Sequence, residues 1–345
     1  MRRTTPLLLA ALLLLMAAGL ARGTSPIIRR LLTPQRLLET AVRLETGAVH
    51  APPADTEPAG VSLSLPSPTP APEPDETPEQ PAPPAPDETP DGLPILTASF
   101  SGGLTIQNDA EKDVDPAALL AEGPSLRFGA EAPQVLIVHT HTSEAYTPSE
   151  GCRYEASDNM RTQDANYNII RVGDVLAARL EAAGLSVLHD RTVNDYPSYA
   201  GSYGRSGAAV EAALAEHPSI RLVIDLHRDA LASDTVVYKT AAELPDGETC
   251  AQVMFVVGTD SLGLEHPNWR ENLKLAVFLQ DAVCAAHPTL MRPIHLVRER
   301  YNQHLSPGML LIEVGSSGNT LPEALRAAEL FGDAAGQALA RLQNQ

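Results

Sequence analysis

Apolar and polar positions alternate in blocks along the chain from about residue 95 onward. Short apolar runs of strand length, such as "QVLIV" and "LLIEV", are followed by longer segments whose apolar residues recur at helical spacing. In residues 164–184, for example, Val172, Leu176 and Leu180 share one helical face. Fully apolar strands that alternate with helices are typical of a parallel sheet that is buried on both sides. We therefore predict an α/β fold with a mostly parallel twisted sheet and helices on both faces.

The same patterns give approximate bounds for the elements of one domain over 95–345. Strands are predicted at 134–140, 185–190, 221–227, 294–299 and 308–316. Helices are predicted at 164–184, 205–218, 268–287 and 321–342. Residues 235–259 predict an added β-hairpin, because two strand-like runs flank a turn that contains Pro245, Asp246 and Gly247.

The N-terminal residues 1–23 carry the pattern of an export signal. Arg2 and Arg3 precede an apolar run from Leu7 to Ala21, which is short for a membrane span and about right for the apolar core of a signal peptide. A retained single-pass anchor is an equal alternative, because a mismatched span can be short. Both interpretations predict that the rest of the chain is exported, either secreted or as an extracytoplasmic domain at the cell membrane.

Two further segments separate this leader from the domain. Residues 24–50 place apolar residues at helical spacing with arginines between them, which predicts a juxtamembrane amphipathic segment or a plain solvated helix. Residues 51–94 are rich in proline and contain nine acidic residues but no Lys, Arg or His. Such a composition cannot bury a core, so we predict a disordered, extended acidic linker.

Charge and cysteine usage limit the classes of partner and of fold. The formal net charge is -18 at pH 7, and half of it comes from the linker. This negative balance argues against nucleic acid as a partner. Three cysteines, Cys152, Cys250 and Cys284, give neither a disulfide framework nor a Cys-x-x-Cys zinc knuckle. Whether two of them pair is left open.

Three of the predicted strands end in side chains that bind or activate zinc. The first strand runs into His139 and His141 and reaches Glu144, the third ends in His227, and the last carries Glu313. In open α/β sheets, ligands bind beyond the carboxyl ends of the strands, so these side chains are expected to meet. His-x-x-Glu spacing alone is weak evidence, and the weight comes from the agreement of three strand ends.

A tight turn after the first strand would direct His141 and Glu144 toward one ion. His227 is then placed to supply a third ligand, which leaves a fourth position for water, as in hydrolytic zinc sites. Glu313 is the candidate carboxylate that takes a proton from that water and passes it to the leaving amine. His139 shares the strand face of His141 and competes with it as a ligand, but only His141 has a glutamate three residues on. We therefore expect His139 to support a ligand from behind or to pack in the core.

The chain also resembles the stage II sporulation protein P family of endospore-forming Firmicutes. The resemblance covers roughly residues 95–343 and rests on four segments: "PQVLIVHTHTSEAY", "GSYGRSGAAVEAALAEHPSIRLVIDLHRDA", "NLKLAVFLQ" and "RYNQHLSPGMLLIEVGSSGNTLPEALRAA". It implies a zinc-dependent N-acetylmuramoyl-L-alanine amidase domain of carboxypeptidase-like fold. Carried over residue by residue, it implies His141, Glu144 and His227 as ligands of one Zn2+ and Glu313 as the catalytic carboxylate.

The resemblance also implies a substrate and partners. Members cut peptidoglycan between muramic acid and the L-alanine of the stem peptide, have endopeptidase activity on peptide crosslinks, and work with the stage II sporulation proteins M and D during engulfment. Arg205, Asn302 and Gln303 lie in the shared segments and are expected either to hold substrate or to structure loops. Asp225 shares strand parity with His227, which predicts that it orients a ligand or forms a salt bridge.

Two other functions compatible with the same residues stay open. One is a zinc carboxypeptidase or endopeptidase that acts on stem peptides. The other is a catalytically silent domain that binds cell wall as a scaffold.

Overall fold

The computed structural model describes residues 88–90, 92–100 and 103–343. The predicted signal or anchor, the amphipathic segment and nearly all of the linker lie outside these residues. The last residues before the domain form a turn, in which Glu88 bridges to Pro94 and the Thr89 hydroxyl accepts a hydrogen bond of 2.9 Å from the Leu93 amide. None of the helices in the described part of the chain combines the length and apolarity needed to cross a membrane.

The strands of the described residues are β1 Ile95–Ala98, β2 Ile106–Asn108, β3 Val135–Val138, β4 Val187–His189, β5 Leu222–Asp229, β6 Val237–Thr240, β7 Ala242–Glu243, β8 Thr249–Cys250, β9 Val253–Val257, β10 Ile294–Leu296 and β11 Met309–Ser316. Seven of them form a sheet at the centre of the domain, in the order β2-β10-β9-β11-β5-β3-β4. Neighbouring strands of this sheet are parallel except β9 and β11, which are antiparallel. The predicted α/β fold with a mostly parallel sheet is therefore confirmed.

Helices cover both faces of this sheet. They are α1 Pro116–Glu122, α2 Ile169–Ala182, α3 Ser202–Glu216, α4 Trp269–Ala286 and α5 Leu321–Ala340. The larger core joins α2, α4 and α5 to one face, while Val210 of α3 packs with Leu136 and Val223 on the other. Strand residues alternate between these two cores, so both faces of β3 are apolar throughout. β5 is apolar on both faces over residues 222–224 and becomes polar on the Val223 face at Asp225 and His227. A capping box between Thr320 and Glu323 starts α5.

The predicted hairpin is present but is smaller than the sequence pattern suggests. Only β7 and β8 pair as an antiparallel hairpin, around the turn that contains the Pro-Asp-Gly segment. Of the outer arms, β6 pairs with β1 in a separate two-stranded sheet, and β9 joins the central sheet. β9 is buried at every position, which favours a central strand over an arm of an exposed hairpin. The three cysteines, all within the described residues, form no disulfide.

Candidate active site

Three adjacent strands, β3, β5 and β11, bring the predicted residues together at their carboxyl ends. In the register of the sheet, Glu313 is the partner of His227, and Val138 is the partner of Asp225. Strand β3 ends at Val138, so the turn with His141 and Glu144 begins beside Asp225 and His227. The meeting of these strand ends follows from the parallel order of the three strands.

The turn after β3 is tight, because the Glu144 amide donates a hydrogen bond of 3.2 Å to the His141 carbonyl. Glu144 is 5 % exposed, and its Oε2 lies 3.5 Å from Nδ1 of His227. The same oxygen accepts a hydrogen bond of 3.1 Å from the backbone amide of Arg228. The Arg228 guanidinium donates to the carbonyls of Ala145 and Met160, at 2.6 and 3.0 Å, and so fixes the segment that carries the glutamate.

His227 lies between two carboxylates. Its Nε2 is 2.9 Å from Asp225 Oδ1, and its Nδ1 faces Glu144. Asp225 is itself held by Thr140, which donates to it from its amide at 2.8 Å and from its hydroxyl at 2.6 Å. Burial disfavours charge on His227, but the two carboxylates outweigh burial and hold the pKa of His227 well above its usual value. Burial alone would likewise raise the pKa of Glu144, but His227 and Arg228 hold that pKa well below its usual range.

His141 lies beside this pair, with its ring centroid 5.3 Å from that of His227 and the two rings nearly perpendicular. The ring of Tyr199 stacks on His141 at 4.4 Å. The Tyr199 hydroxyl is 3.0 Å from Nε2 of His141, and the Ser202 hydroxyl is 3.3 Å from Nδ1. Burial, above all, lowers the pKa of His141 to about 3, so the imidazole is neutral at pH 7 and able to act as a metal ligand.

His139 has a different set of contacts. Its Nδ1 is 3.0 Å from the carbonyl of Leu226, and its Nε2 is 2.8 Å from Nε2 of His189. His189 in turn contacts Asp174 at 3.1 Å, so a chain of side chains runs from His139 toward the surface. Gly173 of α2 makes room for both rings, since an added Cβ would lie 2.7 Å from His189 and 2.9 Å from His139. Both nitrogens of His139 are thus used inside the domain.

Glu313 is the carboxylate without a fixed partner. Its Oε2 is buried and accepts no hydrogen bond from the described residues. Burial and then the negative charge of Asp229 raise the pKa of Glu313 to about 8. Asp229 forms an ion pair of 2.6 Å with Arg292 at the same edge of the sheet. A carboxyl group with a pKa near neutrality is suited to transfer protons in both directions.

Whether these residues fit a zinc ion is decided by donor type and spacing. Two ligands of a tetrahedral ion, each about 2.1 Å from it, lie about 3.4 Å apart, and the Glu144 and His227 donors are 3.5 Å apart. The neutral His141 is the right third donor. As the side chains stand, however, no three His, Cys, Asp or Glu side chains among the described residues are arranged to hold a metal. His141 would have to give up one of its two hydroxyl contacts to bind the ion. The three residues therefore fit zinc in donor type and in the Glu144–His227 distance.

The other predicted residues mostly contact backbone. Arg205 donates to the carbonyls of three residues of the loop before α3. Asn302 donates to the Tyr203 carbonyl at 2.9 Å and the Ser206 hydroxyl at 3.1 Å. Gln303 is fully buried and bonds only to the backbone of β9 and the residue after it. These contacts support loop-structuring roles, and a role in substrate binding stays untested for all three.

Sequence reasoning missed several residues of the site. Arg161 lies 3.6 Å from Glu144, donates to Asp195 at 2.8 Å, and has its guanidinium 4.8 Å from the Tyr199 ring. Arg292 is the partner of Asp229. Arg161, Asp195, Tyr199 and Arg292 come from irregular segments, where no periodicity marks a residue as facing the site. For Tyr199, the sequence signal is its position in a tyrosine- and serine-rich loop shortly before a helix.

Comparison with known proteins gives a match to a family. The model of the family described as stage II sporulation protein P matches residues 98–335. A relative, stage II sporulation protein P of Bacillus subtilis (strain 168), is 31% identical over 212 residues, which cover 58% of this chain and 49% of the relative. The matched segment thus spans about half the length of that relative.

Solved structures with some likeness are N-acetylmuramoyl-L-alanine amidases. AmiC2 of Nostoc punctiforme is 14% identical, with 62% of this chain and 96% of that chain covered at a TM-score of 0.33. Ami1 of Mycobacterium smegmatis is 14% identical, with 61% and 97% covered at a TM-score of 0.35. The amidase of Clostridium difficile 630 is 16% identical, with 61% and 95% covered at 0.33. At TM-scores this low, the likeness carries no conclusion about function.

Proposed function

Because the chain belongs to the stage II sporulation protein P family, we propose that it is a zinc-dependent peptidoglycan hydrolase that acts in sporulation. The observation that carries the proposal is the meeting of His141, Glu144 and His227 beside Glu313 at three adjacent strand ends. All three ligand candidates are at most 5 % exposed, and buried groups of this kind need a charge partner or an ion to balance them.

In the proposed site His141, Glu144 and His227 hold one Zn2+. When bound, zinc lowers the pKa of a water molecule toward about 7 and polarises a carbonyl oxygen. Asp225 accepts from Thr140 and lies 2.9 Å from Nε2 of His227, so it orients that imidazole from behind. Arg228 has the same function for Glu144 through its backbone amide.

Glu313 moves the proton. It takes a proton from the attacking water, and the hydroxyl group that remains adds to the carbonyl carbon of the substrate amide. Glu313 then gives the proton to the nitrogen of the leaving amine as the C–N bond breaks. The products are a carboxylic acid and a free amine.

The bond that we propose as the target is the amide between N-acetylmuramic acid and the L-alanine of the stem peptide, with cleavage of peptide crosslinks as a further activity. We also propose that the N-terminal segment places the domain outside the cytoplasm at the membrane, and that the stage II sporulation proteins M and D are partners. These proposals rest on family membership and on the N-terminal sequence pattern.

Mass spectrometry of digested, purified peptidoglycan tests the reaction. An amidase releases intact stem peptides with a free L-alanine amino group, whereas a carboxypeptidase or endopeptidase releases shortened peptides. We expect intact stem peptides from the wild-type protein and at least about 10²-fold slower release from a Glu313→Gln variant. Undigested peptidoglycan with the folded, zinc-loaded wild-type protein would instead support a wall-binding scaffold.

A further inference from the structure

Tyr199 is a candidate for a role in the reaction that is not accounted for by the metal ligands and the proton carrier. It is 38 % exposed, yet its hydroxyl is 3.0 Å from Nε2 of His141. A hydroxyl this close to a ligand nitrogen is within hydrogen-bond reach of a group that binds beside that nitrogen. Tyr146, in contrast, is buried and donates its hydroxyl to the Val314 carbonyl at 2.8 Å, and so is satisfied inside the protein.

The other strong donors around the site are already engaged. Arg161 donates to Asp195 and to the Ser143 hydroxyl, at 2.8 and 3.2 Å. The Arg228 amide donates to Glu144, and its guanidinium donates to backbone carbonyls. Among the described residues around the site, the Tyr199 hydroxyl is therefore the donor that is both beside a ligand imidazole and carried by a partly exposed side chain. A tyrosine hydroxyl carries one proton that it can donate in a hydrogen bond.

The loop that carries Tyr199, residues 193–201, is held in place at several points. Arg205 donates to the carbonyls of Asn194, Ser198 and Ala200. Asp195 accepts from the Ser143 amide at 3.1 Å and from its hydroxyl at 2.6 Å, which ties the loop to the turn after β3. The tyrosine ring itself stacks on the imidazole of His141 and contacts the guanidinium of Arg161. A donor fixed in this way needs little reorganisation when charge develops beside it.

We propose that Tyr199 is a catalytic residue whose hydroxyl donates a hydrogen bond to the carbonyl oxygen of the scissile amide as that oxygen becomes an oxyanion. This inference rests on the proposed function and adds a donor to it. The bond is worth more in the transition state than in the bound substrate, because the oxygen gains negative charge as water adds to the carbonyl carbon. Arg205 and Asp195 act through the loop and are positioning residues.

A Tyr199→Phe variant of the full-length chain, compared at saturating zinc on a defined muropeptide, tests the inference. Loss of one oxyanion donor is expected to lower kcat by about 10²-fold or more with little change in KM. Affinity for a phosphinate analogue of the amide should fall in parallel with kcat/KM. Tyr196→Phe is the matched control, since Tyr196 lies on the same loop and is 56 % exposed, and it should keep wild-type kcat and inhibitor affinity.

Zinc affinity, measured by competition with a chelator, separates this role from a purely orienting one. If Tyr199 only orients His141, the variant should bind zinc about 10- to 100-fold more weakly and should regain its kcat when zinc is saturating. That result, or an unchanged kcat, would overturn the inference while the proposed function stands. A wild-type protein that binds zinc but hydrolyses no muropeptide would instead overturn the proposed function, and the inference with it.

Discussion

Glu313 and His227 are directly paired in the register of β11 and β5, at the carboxyl ends of two parallel strands. The proposed proton carrier is therefore positioned relative to a ligand candidate by the sheet itself, without a loop. The same register brings Asp225 beside the end of β3, where the turn with His141 and Glu144 begins. Strand pairing thus positions Glu313, His227 and the start of the turn that carries His141 and Glu144.

Glu313→Gln should abolish most of the turnover and leave metal binding intact. The amide keeps the shape of the side chain but cannot take the proton of water, so a loss of about 10²–10⁴-fold in kcat is expected. Zinc content by native mass spectrometry and the far-UV circular dichroism spectrum should match the wild type. A Glu313→Gln protein that still digests peptidoglycan at the wild-type rate would remove this residue from the mechanism.

Asp229→Asn should shift the acidic limb of the pH–rate profile to lower pH. Glu313 must be ionised to accept a proton, and burial together with the charge of Asp229 raises its pKa to about 8. Activity is therefore lost as the pH falls through that pKa. Removal of the negative charge of Asp229 lowers the pKa of Glu313, so the activity persists to lower pH. A bound cation moves the limb of both proteins in the same direction.

The measurement is kcat/KM against pH for the zinc-loaded wild type and variant. Asp333→Asn serves as the control, because this carboxylate lies on α5, half-exposed and paired with Arg179. Its acidic limb should coincide with that of the wild type. An Asp229→Asn limb at the same pH as the wild type, or at a higher pH, would refute the assigned electrostatic effect.

Much of the fold and part of the site follow from the sequence, and the reasons differ. β3 is apolar throughout, and β5 and β11 each begin with three or four consecutive apolar residues, a pattern typical of central strands. His227 and Glu313 could be found because a strand fixes their direction. The short strands β1 and β2 and the seven-residue helix α1 gave no clear pattern, since each is only partly buried.

The residues that sequence reasoning missed are those whose position depends on tertiary contacts. His189 contacts the ring of His139, and Gly173 leaves room for both rings. In the sequence these two residues lie 50 and 34 positions from His139, so only the fold brings them together. Likewise, Arg161 meets Glu144 only because the irregular segment before α2 folds back on the turn after β3. Periodicity carries no information about such contacts.

Gly173→Ala should destabilise the domain although it replaces glycine within a helix. The added Cβ would lie 2.7 Å from Nε2 of His189 and 2.9 Å from Cε1 of His139, and both rings are held by their mutual hydrogen bond. Overpacking of this kind costs about 1–3 kcal/mol, more than the helix propensity gained.

Gly204→Ala, near the start of α3, is the matched control, since nothing lies within 4 Å of its added Cβ. It should be neutral or slightly stabilising. The free energy of unfolding from urea titration of metal-free protein checks both variants. A Gly173→Ala domain as stable as the wild type would show that the histidine pair shifts without cost.

His266→Leu should remove part of the pH dependence of stability. His266 is 2 % exposed, and neither of its ring nitrogens has a hydrogen-bond partner among the described residues. Burial, and then the charges of His304 and Arg300, lower its pKa to about 4. As the pH falls from about 6.5 to about 4, the unfolded chain takes up a proton that the folded domain excludes, so stability is lost in that window.

The loss in the free energy of unfolding that is assigned to His266 is at most about 3 kcal/mol. In urea titrations of the two metal-free proteins at several pH values across this window, the free energy of unfolding of the wild type should fall relative to that of His266→Leu as the pH is lowered. A constant difference between the two proteins at every pH would mean that this histidine titrates alike in the folded and unfolded chains.

The central claim is that one zinc ion, held by His141, Glu144 and His227, is needed to cut the muramic acid–L-alanine amide. Its most direct test is the release of intact stem peptides from peptidoglycan by metal-stripped protein as zinc is added back. We predict no release without metal and a rise that saturates at one equivalent of zinc. Full release by the metal-stripped protein, or saturation with zinc without any intact stem peptide, would contradict the claim.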